Sequence, residues 1–181
     1  GKPLHGPNQW PPLPGFRAAM EAYFDAVTGA GRDLLPSFAL ALDLPEDFFL
    51  GDYDRPLVKM RIMRYPPLPH PRAPDQYSTA PHTDYGMITL LAQDSVGGLQ
   101  VRLRSGEWVE APTIEGSFII NLGDMLACWT NDRFTSTPHR VLNQSTGDRY
   151  SIPIFYDPHY DTLAECLPSC CGPGNPPRYP P

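Results

Sequence analysis

Three short stretches of this chain combine residue types that could do chemistry together. The first is His82-Thr83-Asp84. Along an extended strand, residues i and i+2 point to the same side, so this imidazole and this carboxylate can reach one point. A mixed pair of that kind suits a divalent metal. The second is His139, within Thr137-Pro138-His139-Arg140-Val141 and far enough along for several strands to bring it back. The third is Arg149-Tyr150-Ser151. By the same alternation, the Arg149 fork and the Ser151 hydroxyl share a side, and a planar guanidinium matches a carboxylate. An arginine turned inward is costly unless an anion neutralises it. The pair therefore reads as a pocket for the far carboxylate of a small diacid held near the metal.

Each stretch also has a plainer reading. H-x-D arises by chance, His139 could be a satisfied core histidine, and Arg149 could sit exposed at a strand end. Taken together they say more. Two histidines and one carboxylate leave three coordination positions open, which is the facial triad of non-haem Fe(II) oxygenases.

Such residues need a scaffold. From residue 57 onward the apolar pattern has period two. The stretches 57–65, 87–93, 98–103, 108–111, 117–121, 125–130, 137–143 and 150–157 all read as strands. Turns bearing Gly, Asp or Asn join them, among them Val96-Gly97-Gly98 and Thr146-Gly147-Asp148. Short strands without intervening helices imply an antiparallel sandwich or barrel. Ahead of them, residues 16–42 carry helical spacing, with Pro36 expected to kink that helix or start a new one. A helical turn is expected at 46–50. The 16-residue connection from Pro66 to Pro81 is long for a compact domain and is expected to border the mouth of the site.

Composition narrows the function further. The chain has 181 residues, with 20 acidic and 14 basic side chains and a net charge of −6. That balance argues against a nucleic-acid binder. No apolar run is long enough to span a bilayer, and no signal-peptide pattern opens the sequence. The simplest expectation is a soluble cytoplasmic protein of one domain, with no membrane partner. Of 24 prolines, five fall in 1–15, five in 66–74 and six in 168–181. Both ends and one loop are therefore stiffened and non-helical. The four cysteines, Cys128, Cys166, Cys170 and Cys171, are expected as free thiols in a chain of this size without a secretion signal, and C-x3-C-C is not a zinc spacing.

In combination these motifs resemble the isopenicillin N synthase-like family of Fe(II)/2-oxoglutarate-dependent oxygenases. Arg64-Tyr65-Pro66, His82-Thr83-Asp84-Tyr85-Gly86, Gly97-Gly98-Leu99-Gln100-Val101, Asn121-Leu122-Gly123-Asp124, Thr130-Asn131, the run 135–141 and Arg149-Tyr150-Ser151 follow in family order. The resemblance covers roughly residues 10–180. It implies a mainly β fold, a double-stranded β-helix or jelly-roll over 57–158. A helical layer over 16–50 flanks it, with proline-rich segments at 1–15 and 159–181. His82, Asp84 and His139 match the iron ligands. Arg149, Ser151 and Tyr65 match the residues that hold 2-oxoglutarate. Met63, Tyr85 and Phe155 fall where family members line the substrate pocket.

The activity this implies couples oxidative decarboxylation of 2-oxoglutarate, to succinate and CO2, with oxidation of a small organic substrate by O2. That oxidation would be hydroxylation, desaturation or ring closure. Family members usually carry a further segment before the helix near Phe16 and more helix after Pro181. The chain is thus expected to be the catalytic core of a longer enzyme, or a short member. Two rivals stay open. One is an oxidase like isopenicillin N synthase, where the Arg and Ser pair holds the substrate and no 2-oxoglutarate is used. The other is a non-catalytic jelly-roll binding module. Lesser candidates are given structural readings: the acids Asp43, Glu46, Asp47, Asp52 and Asp54 as a solvated face, Trp108 and Trp129 as wall or core, and His5, His70 and His159 as loop residues without partners.

Overall fold

The computed structural model describes residues 6–179, so His5 lies outside the described residues. One long helix, α1 (Phe16–Ala41), leads into nine strands and a short second helix. The larger sheet contains β1 (Leu57–Met60), β2 (Met63–Tyr65), β4 (Ile88–Gln93), β7 (Ile119–Leu122) and β9 (Arg149–Asp157). Its order is β1-β9-β4-β7, with β2 also paired to β9. The smaller sheet runs β3 (Thr79–His82), β8 (His139–Val141), β5 (Leu99–Arg102), β6 (Trp108–Glu110). Every pairing is antiparallel. This is the mainly β jelly-roll expected from the sequence, with helix outside one sheet.

Period-two alternation divides the larger sheet into two faces. Ile88 and Leu90 of β4, with Ile154 and Tyr156 of β9, join a core that includes Val27, Leu35 and Ala39 of α1. The α1 seam repeats every four residues: Val27, Gly31, Leu35 and Ala39 are its buried positions. Gly31 lies directly against the Tyr156 ring, where a methyl group would crowd it. The opposite face looks toward the smaller sheet. There Tyr65, Leu99, Ala111 and Val141 form a second, smaller cluster.

Several elements depart from the sequence expectation. The single strand expected at 57–65 is interrupted at Arg61 and Ile62. Its register against β9 is nonetheless continuous, from Leu57 opposite Asp157 to Tyr65 opposite Arg149. The residue facing Arg61 is Pro153, whose carbonyl accepts from the Arg61 N–H (3.0 Å). Proline has no N–H to return, so the ladder breaks there. Pro36 neither ends nor divides α1, which runs continuously through it. Residues 46–50 form turns rather than a helix.

Two further corrections concern the site directly. The stretch 125–130, expected as a strand, is instead helix α2 (Asp124–Trp129), with Leu126, Ala127 and Trp129 buried. A short apolar run does not reveal its type by periodicity. The loop expected through Pro81 ends sooner, because Thr79–His82 is strand β3 on the edge of the smaller sheet. The loop lies along β8: Leu68 N–H donates to Asn143 O (3.0 Å) and Ser78 N–H to Val141 O (2.9 Å). Among the described residues, no helix is long and apolar enough to cross a membrane.

Candidate active site

The β3–β8 pairing sets His82 directly opposite His139, with ring centroids 4.2 Å apart. Thr79 pairs with Val141, so the register slips by one residue between these contacts. Such a bulge re-aims side chains. Upstream of it Thr79 lines the interior; downstream the inward positions are His82 and Asp84. The H-x-D pair thus spans the end of β3 and the connection that follows.

His82 Nδ1–H donates to Ala80 O (2.8 Å), and His139 Nδ1–H to Thr137 O (3.1 Å). Those bonds fix the tautomer that leaves each Nε2 lone pair free. Both Nε2 atoms face Asp84 Oδ1, at 3.9 and 3.7 Å. One ligand atom from each of the three residues lies within 4.8 Å of the others, the one such group among the described residues. Donors about 2.1 Å from one ion lie about 3.0–3.4 Å apart, so these groups stand slightly wider than a bound ion would hold them. Burial lowers the His139 pKa below the ordinary histidine value, against the opposing pull of its Thr137 hydrogen bond and Asp84. That favours the neutral, ligating imidazole.

Asp84 is held from behind. Its Oδ2 accepts from Thr89 Oγ1 and Asn121 Nδ2, both at 2.7 Å, which leaves Oδ1 for a metal. Its backbone is fixed by α2: Asp124 N–H donates to Asp84 O (2.8 Å) and Met125 N–H to Tyr85 O (3.1 Å). From the other side Asp157 Oδ1 accepts from Met87 N–H (2.8 Å). Gly86 makes that approach possible, because any side chain there would overlap the Asp157 carboxylate.

Arg149 is fully buried at the start of β9. Its Nε donates to Gly97 O (2.6 Å) and its Nη2 to Gln93 Oε1 (2.9 Å). Its guanidinium carbon sits 5.0 Å from the centre of the Tyr65 ring. Gly97 and Gly98 both have positive φ, and a side chain at Gly98 would strike Leu142 O. The glycine turn therefore delivers the carbonyl that Arg149 needs. The remaining nitrogen, Nη1, is buried without a partner. A buried cation with an unmet donor is what a carboxylate would complete. Burial pulls the Arg149 pKa down, opposed by Tyr65 and Asp94.

A cavity of about 110 Å3 joins these groups. His82, Asp84, His139, Arg149, Ser151 and Tyr65 all line it, as do Met63 and Phe155. Tyr85 does not: it is 79% exposed, because α2 grips the backbone on either side and turns the ring to solvent. Thr79 borders the cavity but the loop before it does not. Sequence reasoning missed Thr89, Gln93 and Asn121, whose roles depend on strand register, and Arg61 at the cavity edge. The cysteines are free thiols, and none joins a metal-binding group among the described residues.

The sequence pattern of the 2OG-Fe(II) oxygenase superfamily matches residues 57–158, more than half of the chain. This chain belongs to that superfamily. It is 41% identical, over its whole length, to the 2-oxoglutarate-Fe(II) type oxidoreductase hxnY of Emericella nidulans, and covers 54% of that protein. It is 38% identical to a homoarginine-6-hydroxylase of Glycine max, with 92% of the chain and 53% of the relative aligned. A full-length Neurospora crassa protein, solved in complex with alpha-KG, superposes with a TM-score of 0.91 and 34% identity, covering 99% of this chain and 58% of the fungal one. The chain spans about half the length of the curated relatives it matches.

Proposed function

We propose that this oxygenase-superfamily chain is the catalytic core of an Fe(II)- and 2-oxoglutarate-dependent oxygenase acting on a small organic substrate. The observation that carries the reading is the unpaired Arg149 Nη1, buried in the cavity that His82, Asp84 and His139 also line. In this reading His82 Nε2, His139 Nε2 and Asp84 Oδ1 hold iron. Arg149 and Ser151, with Tyr65 beside them, hold the distal carboxylate of 2-oxoglutarate. Iron with that cosubstrate and O2 would supply the oxidative decarboxylation to succinate and CO2 and the oxidation of the substrate.

The protein's own part is positioning and exclusion of water. Thr89 and Asn121 orient Asp84. Leu91, Leu99 and Val101 dry the space between the two polar ends. A low-dielectric wall strengthens the Arg149 contact. Met63 and Phe155 face the substrate, and residues 16–50 and 57–158 act as one unit. Free thiols and a net charge of −6 support a cytoplasmic enzyme with small-molecule partners.

The test is succinate formation from 2-oxoglutarate with Fe(II), ascorbate and O2. The core carries the groups for metal and cosubstrate, so some turnover is expected before the true substrate is known. No succinate from iron-loaded protein would favour the oxidase that uses no 2-oxoglutarate, or a non-catalytic module.

A further inference from the structure

Once the proposed metal and cosubstrate groups are set aside, one charged side chain of the cavity has no assignment. Arg61 shares the inward face with Met63 and Tyr65, two and four residues along the same register. Its backbone is pinned by the bond to Pro153 O, at the break between β1 and β2. Its guanidinium packs over Phe155, 5.6 Å from the ring centre. A cation seated on an aromatic face is held in place, while its N–H edge stays free to bind. Asp84 and Arg149 are the other charged lining groups besides the histidines, and both are committed in the proposed site. Arg61 forms no ion pair within 4.0 Å among the described residues.

We propose that Arg61 is the specificity-determining residue for the primary substrate, and that this substrate carries a carboxylate. The inference rests on the oxygenase reading above and names its substrate class. Nearby Met63, Leu91, Pro153 and Phe155 offer apolar surface, so the rest of the substrate is apolar. Its carboxylate stays at the lip, where Arg61 is exposed to solvent.

The experiment uses matched pairs of arylalkanoic and alkanoic acids and their primary amides. Binding is measured by calorimetry on protein loaded with Mn(II) and 2-oxoglutarate. Acid-stimulated succinate formation is measured on the Fe(II) form. Acids are expected to bind and stimulate, and amides to do so at least about tenfold less. Arg61→Ala should weaken acid binding and raise its KM roughly 10- to 100-fold, as for loss of a charge-assisted hydrogen bond. Arg61→Lys should recover part of the loss. Amides equal to acids, no acid bound better than its amide, or acid affinity unchanged in Arg61→Ala would each overturn the proposal. Absence of substrate-free succinate, with Arg61-dependent acid binding intact, would instead overturn the oxygenase reading and leave the anion site standing.

Discussion

The two faces of the larger sheet are built from alternate residues of the same strands, yet they are packed to opposite ends. On the outer face, Ile88, Leu90, Ile154 and Tyr156 are at most 1% exposed. They belong to a core of fifteen buried residues that reaches from α1 to Leu167 and Cys170. Toward the smaller sheet the buried apolar cluster has four members, of which only Tyr65 comes from the larger sheet, and a cavity takes the remaining space. Close packing on one side lets the other side stay hollow and polar. A fully buried arginine with an unpaired nitrogen is tolerable only on a scaffold stabilised elsewhere. Stability and chemistry are thus divided by strand parity.

The strongest challenge to that division is Asp84→Asn. Turnover should fall below detection and iron affinity should drop sharply, because the charged ligand oxygen is gone. Without metal, the melting temperature should stay near that of the wild type, since the change removes no outer packing. A metal-free protein that unfolds in this variant would contradict the division.

Adjacent residues of β4 give a finer contrast. Leu90→Ala should destabilise by about 2–5 kcal/mol, since it opens a void in a sealed core. Leu91→Ala, next along the strand but beside open space, should lose only about 1–2 kcal/mol. Equal losses in urea titrations would mean that the inner face is packed as tightly as the outer. Gly86→Ala comes next. It forces the buried Asp157 carboxylate aside, a crowding effect of about 1–3 kcal/mol, and it should also lower metal affinity through the shifted Asp84 connection. A melting temperature unchanged in Gly86→Ala would show that Asp157 does not restrain this connection.

How much of this was legible in the sequence follows from the same geometry. His82 with Asp84, and Arg149 with Ser151, were visible because each pair is local and needs only strand alternation. The fold class was visible because seven of the eight stretches read with that period are strands. Gln93 and Asn121 were not, because each acts through register on a residue far away in sequence; Thr89 was not, because only the turn between β3 and β4 brings it back onto Asp84, five residues earlier. The bulge that turns His82 inward was also hidden, since Pro81 disguised β3 as loop. α2 was misread because a short apolar run fits helix and strand alike. Tyr85 fails as a cavity residue for a related reason: its orientation is set by α2, not by the motif it belongs to.

The smallest expected effect is a pH dependence. Burial raises the Asp157 pKa above the ordinary carboxylate value, against the Met87 hydrogen bond and Lys59. Between the unfolded and folded pKa values, the folded protein keeps a proton the unfolded chain has released. Stability from this group is therefore greatest below that window, falls as pH rises through it, and is level above. Asp157→Asn keeps an acceptor for Met87 N–H and should flatten that part of the stability–pH curve. An unchanged slope would assign the dependence to other groups.

In the proposed site, one cavity holds a metal at one end and a carboxylate at the other. The decisive experiment is anaerobic calorimetric titration of 2-oxoglutarate into Fe(II)-loaded protein, wild type and Arg149→Leu. The wild type should bind one equivalent, and only with metal present. Arg149→Leu should weaken binding by roughly 30- to several-thousand-fold, for a lost contact of about 2–5 kcal/mol, with iron affinity retained. No binding by the iron-loaded wild type, or equal binding by Arg149→Leu, would contradict the two-ended site.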